Sequence, residues 1–375
     1  MQHLFSEKVK RLADTNCFKY SKLAESKCNK SIIPWNLACY HDNAPGLFGK
    51  SVKTCYPLSM DRKEAKRITD GVIENVGRVI VGKDDVIRLV LTSFLAGGHV
   101  LLEDLPGSGK TVLSKSLAKS LDLPFQRIQA TADLLPGDVT GISYFSQKEG
   151  DFIFREGPVF TSILLVDEIN RTTARTQSSL LEAMEERQVT VDGVTRALPD
   201  PFFVIATENP IETAGTYPLP EAQKDRFFMM ISLGFASKDE EVRILQRFLD
   251  SSPLEEISPV CTKEEFLEIR RMVSSVYVHS DIMEYIASII DETRKDRNTS
   301  GISTRGTLAL LRGSRAYAFL DGRDYVTPDD VKAVAPAVLS HRIMSLHSVM
   351  DRRDGERVIE RILSSLPVPS ERWEK

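Results

Sequence analysis

The densest chemical signal in this 375-residue chain is the turn Gly107-Ser108-Gly109-Lys110-Thr111. An apolar run from Val100 leads into it and a helical pattern, KTVLSKSLAKSL, leaves it. Small residues let the backbone wrap a polyphosphate so that its N–H groups point at the oxygens, and the helix start adds its positive dipole end. Within the stretch Pro106, Gly107, Ser108, Gly109, Lys110, Thr111 and Val112, Lys110 is placed to reach the β- and γ-phosphates. The Thr111 hydroxyl is placed to ligate Mg²⁺. The full pattern G-x-x-x-x-G-K-[ST] asks for glycine at position 104, where the chain has Asp104. A carboxylate facing inward would repel phosphate. Aspartate tolerates turn dihedrals, so the expectation is that Asp104 serves the turn and points away.

Phosphate chemistry needs partner groups. Ile163-Leu164-Leu165-Val166 reads as a buried parallel strand, and it ends in Asp167-Glu168. Ligands of open α/β sheets bind at the carboxyl ends of the strands, where these acids would meet the turn. Asp167 is the second expected Mg²⁺ group, and Glu168 the one that polarises an attacking water. Another apolar run, 202–206, ends in Thr207-Glu208-Asn209-Pro210, with Asn209 able to bond a γ-phosphate or to be a plain turn residue. Arg226, in Asp225-Arg226-Phe227, offers a guanidinium for the transferring charge.

These groups require a parallel sheet with helices around it, built from strands at Val100, 125–129, 163–166 and 202–206. Two hairpins interrupt that alternation. One spans 142–156 and the other 188–197, the second turning at Asp192-Gly193. They could grip a substrate or pack on a neighbour, and Phe152 and Phe154 could be either grip or hairpin core. Beyond residue 236 strand runs stop and helical periodicity takes over at 238–249, 263–273, 281–293, 305–320 and 328–344. Thr327-Pro328-Asp329-Asp330 is a helix start with cap, proline and first-turn acids. His341, Arg342, His347 and Arg352 read as a solvated face.

Composition narrows the function classes. The charge is 49 Lys+Arg against 53 Asp+Glu, net −4, which argues against a nucleic-acid backbone as main partner. No uncharged apolar run reaches membrane-spanning length, and the expected compartment is the cytoplasm. The first 59 residues differ from the rest: nine Lys/Arg against four Asp/Glu give +5, leaving −9 for 60–375. They also hold Cys17, Cys28, Cys39 and Cys55. A zinc site using these with His3 or His41 is disfavoured because paired C-x2–4-C spacing is missing. Residues 1–59 are expected to be a poorly structured or spurious extension. The working protein would then begin near Met60, with Ile68, Val72 and Val76 on one helix face.

Taken together, Gly107–Thr111, VDEINR, ERQVTVDG, ATENPIE, GTYPLPEAQKDRF and GRDYVTPDDVKAVAPAVLSHR resemble the MoxR family of AAA+ ATPases, over about 65–366. The resemblance implies an AAA+ P-loop parallel sheet flanked by helices, with inserted β-hairpins, and a C-terminal all-α lid. The implied domains are the extension 1–59, an α/β nucleotide-binding core 60–235 and a lid 236–375. Residue by residue, it implies Lys110 and Thr111 as Walker A, Asp167 and Glu168 as Walker B, Asn209 as sensor 1 and Arg226 as the arginine finger. Arg226 would act on the neighbouring subunit's nucleotide. Arg305, in Ser303-Thr304-Arg305, takes the sensor-2 place on a lid over the nucleotide, with Thr304 where relatives carry proline. Gln129 falls at a polar switch for the catalytic glutamate, and Val81-Gly82 where such proteins touch adenine. The implied activity is Mg²⁺-dependent ATP hydrolysis by a homo-oligomeric ring, expected to be a hexamer, that remodels a partner protein. In the family that partner is often a von Willebrand factor A-domain protein. Two other readings stay open: an ATP-binding scaffold with little hydrolysis, with Asp104 and Thr304 as its lesions, and a nucleic-acid motor. GTP is disfavoured because no Asn-Lys-x-Asp segment is present; Asn29-Lys30 continues as Ser31-Ile32.

Overall fold

The structure is a computed structural model, which describes residues 37–41, 53–57, 60–210, 215–247, 249, 252–296, 299–343 and 352–369. It forms two compact units, Met1–Leu58 and Ser59–Lys375. In the first, strands β1 (Leu37–His41) and β2 (Lys53–Pro57) pair antiparallel, with Cys39 opposite Cys55. Cys17, Cys28 and His3, considered above for zinc, lie outside the described residues.

The second unit is organised around five strands: β3 (Val100–Glu103), β4 (Phe125–Gln129), β7 (Ile163–Asp167), β10 (Phe203–Glu208) and β11 (Met229–Ile231). Their order is β11-β3-β10-β7-β4 and every pairing is parallel. The near-continuous apolar runs of β3, β7 and β10 follow from burial on both faces. The remaining strands make the two expected hairpins, β5 (Gly141–Ser146) with β6 (Asp151–Glu156), and β8 (Gln188–Val191) with β9 (Val194–Ala197). Asp192 and Gly193 both have positive φ, 53° and 75°, which suits the tight turn between β8 and β9. Phe152 is exposed at its hairpin and meets Phe145 edge-on. Phe154 instead packs edge-on against Phe160 and lies under the Arg196 guanidinium, so the hairpins touch.

Helices cover the sheet and then replace it. Arg62–Val79 is capped by Asp61 and buries Ile68, Val72 and Val76. Lys263–Val273 opens with a Thr262/Glu265 capping box and buries Phe266, Ile269, Met272 and Val273. Phe266 lies tilted against Phe94, which stacks on Phe203 of β10, each at 4.4 Å, so the helical half and the sheet share one core. The helix from Pro328 ends at Leu339, earlier than its periodicity suggests, and a 3₁₀ turn covers Ser340–Arg342. Among the described residues no helix is long and apolar enough to cross a membrane.

His99 precedes β3 and is buried. Its Nδ1 accepts from the Val204 N–H at 3.0 Å, which leaves Nε2 to donate to the Met184 carbonyl at 3.1 Å. That pairing requires a neutral ring. Burial, helped by the charge of Arg187, pushes the imidazole down to about 3. Below an unfolded pKa of ~6.5 the unfolded chain takes a proton that the folded chain refuses. Stability from this residue is therefore complete above about pH 6.5 and is lost as pH falls, by about 2 kcal/mol at about pH 5. Glu103 and Glu208, raised chiefly by burial, run in the opposite sense. The test is thus a comparison with His99→Gln, which keeps both carboxyls. Between about pH 7 and about pH 5 the parent's urea midpoint should fall more steeply than the variant's. Parallel curves would mean that His99 titrates normally.

Candidate nucleotide site

The turn after β3 and the carboxyl ends of β4, β7 and β10 meet at a cavity of about 350 Å³. Pro106, Gly107, Gly109, Lys110, Thr111 and Val112 form one wall, and Arg127, Gln129, Asp167, Glu168 and Thr207 the other. Gly107 and Gly109 hold φ of 85° and 90°, a left-handed path that a side chain would strain, and the helix Lys110–Ser120 starts directly after them. Ser108 Oγ is buried without a hydrogen-bond partner, as in a cradle built for a polar ligand. Lys110 Nζ donates to the Asp104 carbonyl at 2.7 Å, and desolvation lowers its basicity against the pull of nearby carboxylates. Asp104 does turn away. Its carboxylate accepts from Ser232 Oγ, Leu233 N and Gly234 N at 2.6 to 3.0 Å, tying the turn to the end of β11.

Across the cavity, Glu168 has φ 57°, a costly conformation for a residue with a side chain. Its N–H donates to Thr207 Oγ1 at 2.8 Å, and its Oε2 accepts from Gln129 Nε2 at 3.1 Å and from Arg171 at 3.0 Å. Gln129 therefore touches the acid it was expected to touch. Asp167 is paired: Arg127 Nε stands 2.6 Å from Oδ2. Asn209 is buried beyond β10 and is not among the residues lining the cavity, whose β10 contribution is Thr207. Val81 is buried and Gly82 lies against the Glu240 side chain, and neither lines it.

Arg226 and Arg305 are brought together, but elsewhere. They line a second cavity, about 250 Å³, that shares no residue with the first. Both guanidiniums use Glu185: Arg305 at 2.6 Å and Arg226 at 3.3 Å, with Arg305 also 3.4 Å from Asp225. Within one chain Arg305 therefore does not line the cavity of the 106–112 turn. Its helix, Thr304–Leu320, begins beside the Glu185 helix and the 221–228 segment, and a long side chain reaches only what its helix start faces. The helix forms without the proline that Thr304 replaces.

The supposed solvated face is corrected. His341 and Arg342 are only 6% and 7% exposed. Arg342 pairs with Asp225 at 2.8 Å and donates to the carbonyls of Asp225 and Phe227, and His341 Nε2 meets the Phe227 carbonyl at 3.1 Å. The pair holds the backbone on either side of Arg226. His341 and Arg342 follow Val338 by three and four residues, so they continue the buried side of the helix into the 3₁₀ turn. Arg352 pairs with Glu103, and His347 lies outside the described residues.

Residues 99–229 match the ATPase family associated with various cellular activities, and residues 292–362 match the AAA lid domain. The chain is 48% identical over 303 residues to the Bacillus subtilis protein YeaC, covering 80% of this chain and 94% of that one. A crystal structure of a candidate ATPase from Cytophaga hutchinsonii is 38% identical with a TM-score of 0.76, covering 82% of this chain and 97% of that one. Chaperone MoxR1 of Mycobacterium tuberculosis is 38% identical over 308 residues, 79% of this chain and 81% of that protein. The chain belongs to the MoxR family of AAA+ ATPases.

Three contacts of this MoxR-family site had no reading in the sequence: Arg127 on Asp167, Arg171 on Glu168 and Thr207 beneath Glu168. Arg127 was open to inference, because it sits two residues before Gln129 on one strand and so shares its face. Thr207 was masked by the neighbouring Asn209, the more familiar polar residue at a strand tip.

Proposed function

We propose that this MoxR-family chain hydrolyses ATP with Mg²⁺ in a homo-oligomeric ring, taking Arg226 and Arg305 for each site from the adjacent copy, and spends the energy remodelling a protein partner. The observation that carries this reading is the division of labour between two cavities. Lys110, Thr111, Asp167 and Glu168 line one, Arg226 and Arg305 the other, and no residue is common to both. A second copy supplying its arginine cavity would complete the first.

The residues fit Mg²⁺. The Asp167 carboxylate and Thr111 hydroxyl are hard oxygen donors on one cavity, and Mg²⁺ commonly uses one or two such groups plus phosphates. When bound, Mg²⁺ would neutralise charge on the β- and γ-oxygens and compete with Arg127 for Asp167. Lys110 would hold the phosphates from the turn, and Glu168, kept in place by Gln129, Arg171 and Thr207, would orient water and take its proton. Asn209, one position beyond Glu208, would act only through a small shift of that strand end. The Asp104 carboxylate, committed to Ser232–Gly234, no longer favours the inactive-scaffold reading.

Partner remodelling is supported by the name of the Mycobacterium tuberculosis relative, a chaperone. A von Willebrand factor A-domain protein is the partner class that the family resemblance suggests. The test is steady-state phosphate release from ATP over a range of protein concentrations, with Mg²⁺ and with chelator. Turnover per subunit should rise with concentration to a plateau and vanish with chelator. A rate independent of concentration would sink the shared site, and no release at any concentration would sink the ATPase.

A further inference from the structure

The second cavity holds more positive charge than two catalytic arginines explain. Five guanidiniums line it, from Arg187, Arg226, Arg305, Arg312 and Arg342, against the carboxylates of Glu185 and Asp225. Those two acids are already used: Glu185 by Arg226 and Arg305, Asp225 by Arg305 and Arg342. Arg187 donates to the Gly97 carbonyl and lies 3.7 Å from Asp200. Arg312 is different. Among the described residues no carboxylate lies within ion-pair distance of it, and its neighbour is the Phe228 ring at 5.4 Å. Desolvation and the charge of Arg187 both work against its cationic form, so the folded chain holds this charge at a cost.

Position gives that cost a use. Arg305 and Arg312 stand seven residues apart on one helix, two turns along the same face, and both line the cavity that contains Arg226. The axial offset is roughly 10 Å, which two long side chains can close onto one extended polyanion. Phe228 and Arg342 fix the floor: Arg342 donates to the Phe228 carbonyl at 3.2 Å, and Phe228 carries Arg312 above its ring. An anion entering here would meet one guanidinium without a competing carboxylate, and two that must let go of Glu185, Arg305 of Asp225 as well.

We propose that Arg312 is a third guanidinium which each subunit delivers to the triphosphate bound by its neighbour. This rests on the shared-site reading above. Arg226 and Arg305 would take the transferring phosphoryl group, while Arg312, further along the helix, would neutralise the remaining tail.

The test mixes two variants. Arg312→Met keeps an unbranched stem for the Phe228 ring and an intact nucleotide cavity. Glu168→Gln lacks the acid of its own cavity but presents all its arginines. Arg312→Met alone should turn over at least about tenfold more slowly than the parent, with an unchanged unfolding midpoint. Mixed with Glu168→Gln, it should recover to a rate above the sum of the two variants measured apart. Arg312→Lys, which restores charge without the fork, should be intermediate. Arg226→Ala mixed with Glu168→Gln is the control for the shared site. Failure of that control would bring down the shared-site reading itself. A control that recovers while the Arg312→Met mixture does not would overturn the assignment of Arg312 alone, as would parental turnover by Arg312→Met.

Discussion

Glu168→Gln is expected to bind ATP as the parent does and to release phosphate at no more than about one-hundredth of the parental rate. The amide is nearly isosteric, so it removes the base while leaving the site's frame in place. The frame is largely backbone: the Glu168 N–H stays on Thr207 Oγ1, and the φ of 57° is held by the strand end and the 3₁₀ turn Ile169–Arg171. The amide oxygen can still accept from Gln129 or Arg171, which now bond the carboxylate at 3.1 and 3.0 Å. What disappears is the group able to take a proton from water, a contribution of ~10²–10⁴ in rate. Binding of a fluorescent ATP analogue, read beside phosphate release, separates the outcomes. Near-parental turnover would remove Glu168 from the chemistry. Lost binding would make it a structural residue of the cavity.

How much of this was legible in the sequence depended on how local the determinant is. The turn 107–111 and the acids 167–168 are contiguous, and their backbone paths follow from glycine and strand patterns, so chain order alone positions them. The hairpin at Asp192-Gly193 and the helix start at Thr327 are equally local. Asp104 marks the limit. Its place in the turn was evident, but the direction of its carboxylate depends on Ser232–Gly234, more than a hundred residues away. Arg342 fails for the same reason more strongly. Charged residues late in a helical pattern read as solvated, whereas packing on 221–228 gives Arg342 its partners, Asp225 and the Phe227 carbonyl. The period does place His341 and Arg342 on the face of Val334 and Val338, but their charge carries more weight in that reading than their position. The paired Arg127 was hidden by a different habit, since an arginine in a strand invites no reading until the carboxylate beside it is known.

Arg226→Ala should lower turnover about a thousandfold or more while leaving nucleotide affinity of dilute subunits unchanged. The two halves of this expectation come from one geometric fact. Arg226 lines a cavity that contains neither the 106–112 turn nor Asp167 and Glu168, so a subunit binds ATP without it. The rate loss follows because a guanidinium aimed at the transferring phosphoryl group is worth ~10³–10⁵ where such arginines have been measured, in GTPases. Arg226 is also well placed to be aimed: Glu185 holds its tip, while Arg342 and His341 hold the backbone at Asp225 and Phe227 on either side. Truncation at Cβ leaves those backbone contacts intact, so the variant should fold with the parent's unfolding midpoint. The concentration dependence is the sharper reading. The parent's rate per subunit should climb as copies associate, whereas the variant's should stay low at every concentration. If ATP affinity of dilute Arg226→Ala fell in step with its turnover, the arginine would be serving its own subunit, and two separate cavities would be the wrong description of the working site.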